Sequence, residues 1–213
     1  MNRGLTDRAL LAELTPFVRR AAGLDPATLV RVRNTSSTTT ALLRLPFGVL
    51  AGRRIRGGAA ESGDVVYRSG ELLSWLDGHQ ATVPAAHDAD WRGGLPPESG
   101  WARVDLVPDD VVRGLVQAGA RALADAANRE GVPGAQPRAQ VADALLDSTV
   151  LTVTGGQHTA EVTLRLLSAL VRMGFLPRDS SIAVDLAGRW LRVAGEYGSV
   201  YAERPGSSLG LLR

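Results

Sequence analysis

The chain has 213 residues, 45% of them hydrophobic, and a formal net charge of +2, so it can bury one sizeable core or two small ones and has an ordinary globular composition. All 24 basic residues are Arg and Cys is absent, which removes Schiff-base chemistry, a complete Walker A loop, thiol nucleophiles, iron–sulfur clusters, Cys-ligated zinc and disulfides. Almost nothing titrates between His and Tyr, so the pI of 9.6 overstates how basic the chain is near neutrality.

Thr6 is placed to cap a helix whose apolar positions Leu10, Leu11, Leu14, Phe17, Val18 and Ala21 fall on one face, with Gly23 as terminator. Pro16 interrupts that pattern, so the helix kinks there or restarts with Thr15 as a second cap. Leu29 to Arg33, Thr39 to Leu45 and Val49 to Arg56 read as three short antiparallel strands, followed by a further strand at Val65 to Tyr67. Ser69 then caps a brief helix from Glu71 to Asp77, closed by Gly78. Periodicity vanishes from His79 to Gly100 among Pro84, Gly93, Gly94, Pro96 and Pro97, which marks a lobe boundary.

Pro108, with Asp109 and Asp110 beside it, opens a helix running to about Arg129, and Arg138 to Leu146 forms another after the break at Gly131 to Pro137. Val150 to Thr154 and Thr159 to Thr163 pair across Gly155 and Gly156, ahead of a helix from Leu164 to Met173 that stops at Gly174. Ile182, Val184 and Leu186 alternate on one face of a strand that turns at Gly188, returns from Arg189 to Val193, and is joined by Val200 to Glu203. Arg204 to Arg213 reads as a mobile tail.

These elements predict an α+β fold of two lobes, each a meander of short antiparallel strands with packed helices. The boundaries are residues 1–78 for the first lobe, 79–100 for the linker and 101–213 for the second, unless the lobes form one continuous domain. Leu50-Ala51-Gly52-Arg53-Arg54-Ile55-Arg56 resembles Leu186-Ala187-Gly188-Arg189-Trp190-Leu191-Arg192, and each copy is trailed by a Val-Tyr pair, Val66-Tyr67 and Val200-Tyr201. This pattern suggests internal duplication.

Charge is segregated along the chain. Residues 1–56 hold ten Arg against three acidic residues, and residues 57–110 hold three Arg against ten acidic residues. Either the basic block meets an external anionic partner or the two blocks dock on each other. Arg53, Arg54 and Arg56, with Arg19 and Arg20 at the end of the first helix, are the best candidates for an anion or partner site, because Arg forks suit carboxylate and phosphate.

Other constellations are weaker. His79, His87, Asp88 and Asp90 share a loop but match no familiar metal spacing, and no metal or cofactor is assigned. Gly155-Gly156-Gln157-His158-Thr159 is better explained as a hairpin turn than as a phosphate loop. Trp75, Trp91, Trp101 and Trp190 read as core or interface anchors. No Gly-x-Ser-x-Gly elbow occurs.

The leading functional reading is a non-enzymatic binding or assembly protein, engaging an acidic partner through the Arg-rich hairpin or self-associating as a homodimer. An alternative is a winged-helix DNA-binding regulator, with the hairpin bearing Arg189 and Arg192 as its wing and Arg165 and Arg172 on the preceding helix. A hydrolase with no assignable catalytic residues is the third. Met1 to Arg8 lacks the make-up of a leader, and no stretch approaches the roughly 18 apolar residues of a membrane span, so a cytoplasmic location without membrane contact is expected.

Overall fold

The structure is a computed structural model that describes residues 8–57, 62–128 and 135–204. It forms two compact units, Met1–Pro96 and Pro97–Arg213. The proposed cap at Thr6 and the tail beyond Arg204 lie outside the described residues, as does most of the break at 131–137.

In the first unit, a short helix α1 (Arg8–Leu11) passes through a 3₁₀ turn (Ala12–Leu14) into α2 (Thr15–Leu24). Pro16 is the cause: it lacks an N–H and sits in the first turn of α2, where no intrahelical donor is needed. Gly23 does not end this helix, which runs to Leu24 and stops where Asp25 turns extended. Strands β1 (Leu29–Asn34), β2 (Thr38–Arg44), β3 (Leu50–Arg56) and β4 (Gly63–Arg68) follow, then α3 (Ser69–Leu76). The four strands form an antiparallel sheet in the order β4-β1-β2-β3.

Period-two alternation decides what this sheet buries. Val30, Val32, Ala41, Leu43, Ala51, Ile55, Val65 and Tyr67 share one face through their cross-strand register and are buried. The buried stripe Leu14, Phe17, Val18 and Ala21, with Leu72 and Trp75 from α3, completes the core. Ser69 does not cap α3. It is the first helical residue, and its hydroxyl donates to the carbonyls of Asp25 and Pro26, tying α3 to the turn before β1.

The second unit runs β5 (Ala102–Pro108), α4 (Asp109–Asn128), α5 (Ala135–Asp147), β6 (Thr149–Gly155), β7 (His158–Thr163), α6 (Leu164–Arg172), β8 (Ser181–Ala187), β9 (Trp190–Gly195) and β10 (Gly198–Glu203). Its main sheet has the order β10-β9-β8-β5, and β6 pairs with β7 as a separate hairpin. Residues 102–108, unassigned in the sequence reading, are a strand, and Pro108 ends it instead of opening α4. The ladder slips between Arg103 and Asp105, and this bulge breaks the alternation that would have marked the strand.

The two units share a plan. Each has a helix leading into a three-stranded meander, α2 into β1-β2-β3 and α6 into β8-β9-β10, and an outer strand running directly into a helix, β4 into α3 and β5 into α4. In each, the outer strand lies antiparallel beside the first meander strand. Even the junction is repeated: the first α3 amide, Ser69, donates to Thr28 just before β1 (2.8 Å), and the first α4 amide, Asp109, donates to Ser180 just before β8 (3.0 Å). The difference is order, since the strand-helix pair follows the meander in the first unit and precedes it in the second. The fold is therefore α+β with a repeated unit.

The sequence repeat does not mark this duplication. Leu50 to Arg56 is one uninterrupted strand, whereas Leu186 to Arg192 ends β8, turns at Gly188 and Arg189, and begins β9. By position in the meander β3 corresponds to β10, so the shared tetrapeptide is a coincidence of a small residue alphabet.

Candidate binding surface

In the first unit, the sheet face opposite the helices collects Arg. Residues that pair across a ladder point the same way, which places Arg31 and Arg33 of β1, Thr38, Thr40, Leu42 and Arg44 of β2, Arg54 and Arg56 of β3, and Asp64 and Arg68 of β4 on this face. Six Arg thus face one strand carboxylate. Asp64 accepts from Arg31 Nε at 2.6 Å and from its Nη2 at 2.8 Å, and from Arg33 at 3.3 Å. Burial pushes the Asp64 pKa up, but the hydrogen bonds and charges of Arg31 and Arg33 outweigh it and hold the carboxyl below its ordinary value.

Residues 87–92 lie over part of this face. The amide of His87 donates to Val66 O at 2.7 Å, and Asp88 Oδ1 accepts from Val66 N at 2.8 Å, so this segment satisfies the outer edge of β4. His87 sits between Glu71 (3.5 Å) and Asp90 (3.4 Å), the Arg31 guanidinium stacks on Trp91 at 5.6 Å, and Arg44 donates to the carbonyl of Arg92. His79, by contrast, is exposed. Among the described residues no group of His, Asp and Glu is arranged to hold a metal ion.

The five proposed anion-site Arg do not form one cluster. Arg19 and Arg20 are on α2, and Arg19 is engaged bidentately by Asp77 at 2.7 and 2.9 Å. Arg53 lies on the helix-covered face beside Ala41, because residue 53 alternates with residues 54 and 56 along β3. Arg54 and Arg56 are exposed on the Arg-rich face; Arg54 touches the Thr38 hydroxyl at 3.3 Å, and neither makes an ion pair among the described residues. Arg31, Arg33, Arg44 and Arg68, which complete this face, were missed. The alternation of Arg31 and Arg33 with Val30 and Val32 was the available signal, but which strand lies beside which is not written in spacing.

The second unit treats charge differently. Asp185 on β8 is 1% exposed, yet it is held by Arg103 Nε of β5 at 2.7 Å and by Arg192 of β9 at 2.9 Å (Nε) and 2.8 Å (Nη2). Arg192 stacks on Trp101 at 4.4 Å, and Trp101 packs against Tyr201 at 5.8 Å. This assembly covers the second face of β8, so Ala183, Asp185 and Ala187 are buried along with Ile182, Val184 and Leu186, and the strand is not one-sided. The pair Asp185–Arg103 occupies the ladder position that Arg33–Asp64 occupies in the first unit, with the charges exchanged.

The winged-helix alternative does not survive this geometry. Leu164, Leu166, Leu167, Ala169 and Leu170 bury α6, and Arg165 is gripped by Asp147 (2.6 Å) and Asp143 (3.0 Å) of α5. The Asp147 hydrogen bond leads the effects that raise the Arg165 pKa further. The β8-β9 hairpin is no wing, since β5 and β10 flank it within the sheet. Arg192 is committed to Asp185, Arg189 lies 3.6 Å from Glu203, and Arg172 is exposed at the end of α6. The β6-β7 turn is a hairpin turn, as expected, at Gly156 with φ +58°.

No curated protein matches the chain. Among solved structures, it is similar to the β subunit of DNA polymerase III from Pseudomonas aeruginosa (12% identity, TM-score 0.60, covering 97% of this chain and 67% of that one). It is also similar to the DNA polymerase sliding clamp from Bacillus subtilis (10%, 0.58, 92% and 62%) and to the DNA polymerase β subunit from Streptococcus pyogenes (10%, 0.56, 97% and 67%). The chain spans about two thirds of the length of these proteins, and at such identities the likeness is one of fold. The family model described as domain of unknown function DUF8010 matches residues 3–93. A second model, described as domain of unknown function DUF8185, matches residues 96–207, more than half of the chain, and the chain belongs to that family.

Proposed function

We propose that this protein is a non-enzymatic assembly protein built on a sliding-clamp-like fold, and that it works by engaging an acidic protein partner. The observation that carries this reading is the Arg-rich sheet face of the first unit, whose strands present six Arg and one carboxylate. Opposite charge on a flat face steers association and selects partners more than it adds affinity.

Duplex DNA is the second reading, favoured by the fold likeness to DNA polymerase sliding clamps. Its weakness is electrostatic. In the second unit, α4, α5 and α6 together carry five Arg and five Asp, so the helices lack the basic excess that phosphate neutralisation needs. Titrating the whole protein separately with an acidic polypeptide and with duplex DNA, at low and at physiological salt, tests the two readings. Preferential binding of the acidic polypeptide is expected; DNA affinity that falls steeply with salt, with no polypeptide binding, would reverse the order.

A further inference from the structure

Within one sheet face the first unit presents two Arg pairs of the same spacing, and among the described residues one of them holds a carboxylate. Arg31 and Arg33 stand two residues apart on β1, and between them Asp64 takes four charge-assisted hydrogen bonds. Arg54 and Arg56 stand two residues apart on β3, pointing to the same face, with no ion pair among the described residues. Residues two apart along a strand repeat every 6.5–7 Å or so, so both pairs offer guanidinium forks at one spacing. Thr38 and Thr40 of β2 lie directly beside Arg56 and Arg54 in the register and add hydroxyls to the rim.

We infer that Arg54, Arg56, Thr38 and Thr40 form a subsite for carboxylate side chains of an acidic protein segment, held as Asp64 is held by Arg31 and Arg33. This rests on the acidic-partner reading and names where on the face the partner is gripped. The molecule supplies its own precedent for the ligand. Residues 87–91, His-Asp-Ala-Asp-Trp, already lie against this sheet, with Asp88 on the β4 edge, Asp90 4.0 Å from Arg68, and Trp91 under Arg31. A polypeptide bearing acidic residues therefore fits the chemistry of the face.

The test uses the full chain and a fluorescein-labelled decapeptide of alternating Glu and Ser, read by polarisation. Wild type is expected to bind, Arg54→Ala/Arg56→Ala to lose affinity about tenfold or more, and Arg121→Ala, on α4 of the second unit, to leave it unchanged. Thermal melting of each variant checks that the fold is kept, and Arg54→Lys/Arg56→Lys, which keeps charge but not the forks, is expected to recover only part of the affinity. Peptide binding that the double Ala variant leaves intact would overturn the subsite while the acidic-partner reading stands. Absence of peptide binding to wild type would sink both. Displacement of the peptide by a DNA duplex at lower charge concentration, lost in the same variant, would make the subsite one for nucleic acid.

Discussion

At the scale of single residues, the chain spends its charge in two ways. Asp185 is a buried carboxylate whose partners come from β5, 82 positions earlier in sequence, and from β9. Removing its charge while keeping its shape leaves Arg103 and Arg192 with no carboxylate between them. Asp185→Asn is expected to cost about 2–3 kcal/mol, somewhat less than breaking a fully buried pair because Arg103 is half-exposed, and urea denaturation would measure it. A loss under about 0.5 kcal/mol would mean that the network only decorates the sheet. Tyr67 behaves differently: burial, then the nearby charge of Asp88, pushes its phenol up to about 12. The unfolded chain ionises this Tyr near pH 10, so its contribution to stability is present below that pH and fades as pH rises from about 10 to 12. Ultraviolet titration should show a late-ionising Tyr, with Tyr67→Phe removing that late step.

At the scale of elements, most helices and strands were legible because burial imposes a period. The three strands from Leu29 to Arg56, the β6-β7 hairpin and the helix of Leu164 to Arg172 all fall where alternation or a 3.6-residue stripe put them. Three readings differ from the structure, each for its own reason. Ser69 looked like a cap and is a tether to Asp25 and Pro26; Pro108 looked like a helix start and ends β5; Leu50 to Arg56 looked like a copy of Leu186 to Arg192 but is one unbroken strand, while the second segment turns at Gly188 as expected. The true repeat is carried by backbone connections, which tolerate almost any sequence. Close approach between elements leaves a sharper trace. A Cβ at Gly155 would run into the carbonyl of Val104, so β6 can lie against β5 only with Gly there. Gly155→Ala is expected to destabilise by about 1–3 kcal/mol in chemical denaturation, while Gly156→Asn, a turn position that Asn tolerates, should cost far less.

At the scale of the whole molecule, the segregated charge resolves partly inward. Arg19 meets Asp77, and Arg31 and Arg33 meet Asp64, so the basic block of residues 1–56 docks in part on the acidic block that follows it. Arg54 and Arg56, exposed on the sheet face, make no ion pair among the described residues. Changing both to Ala is expected to shift stability by less than about 1 kcal/mol in total, because exposed Arg without a buried partner contributes little. A drop of several kcal/mol in thermal or chemical unfolding would instead assign these residues to internal docking. No described helix is long and apolar enough to cross a membrane. By itself the sequence determined the chemistry that is excluded, the α+β class and the surplus of Arg, since composition and periodicity are local properties. Which Arg meets which carboxylate, that residues 53 and 54 face opposite sides of one sheet, and that two units share a plan were decided only by tertiary structure. Strand order and register join residues tens of positions apart, and spacing along a chain does not encode them.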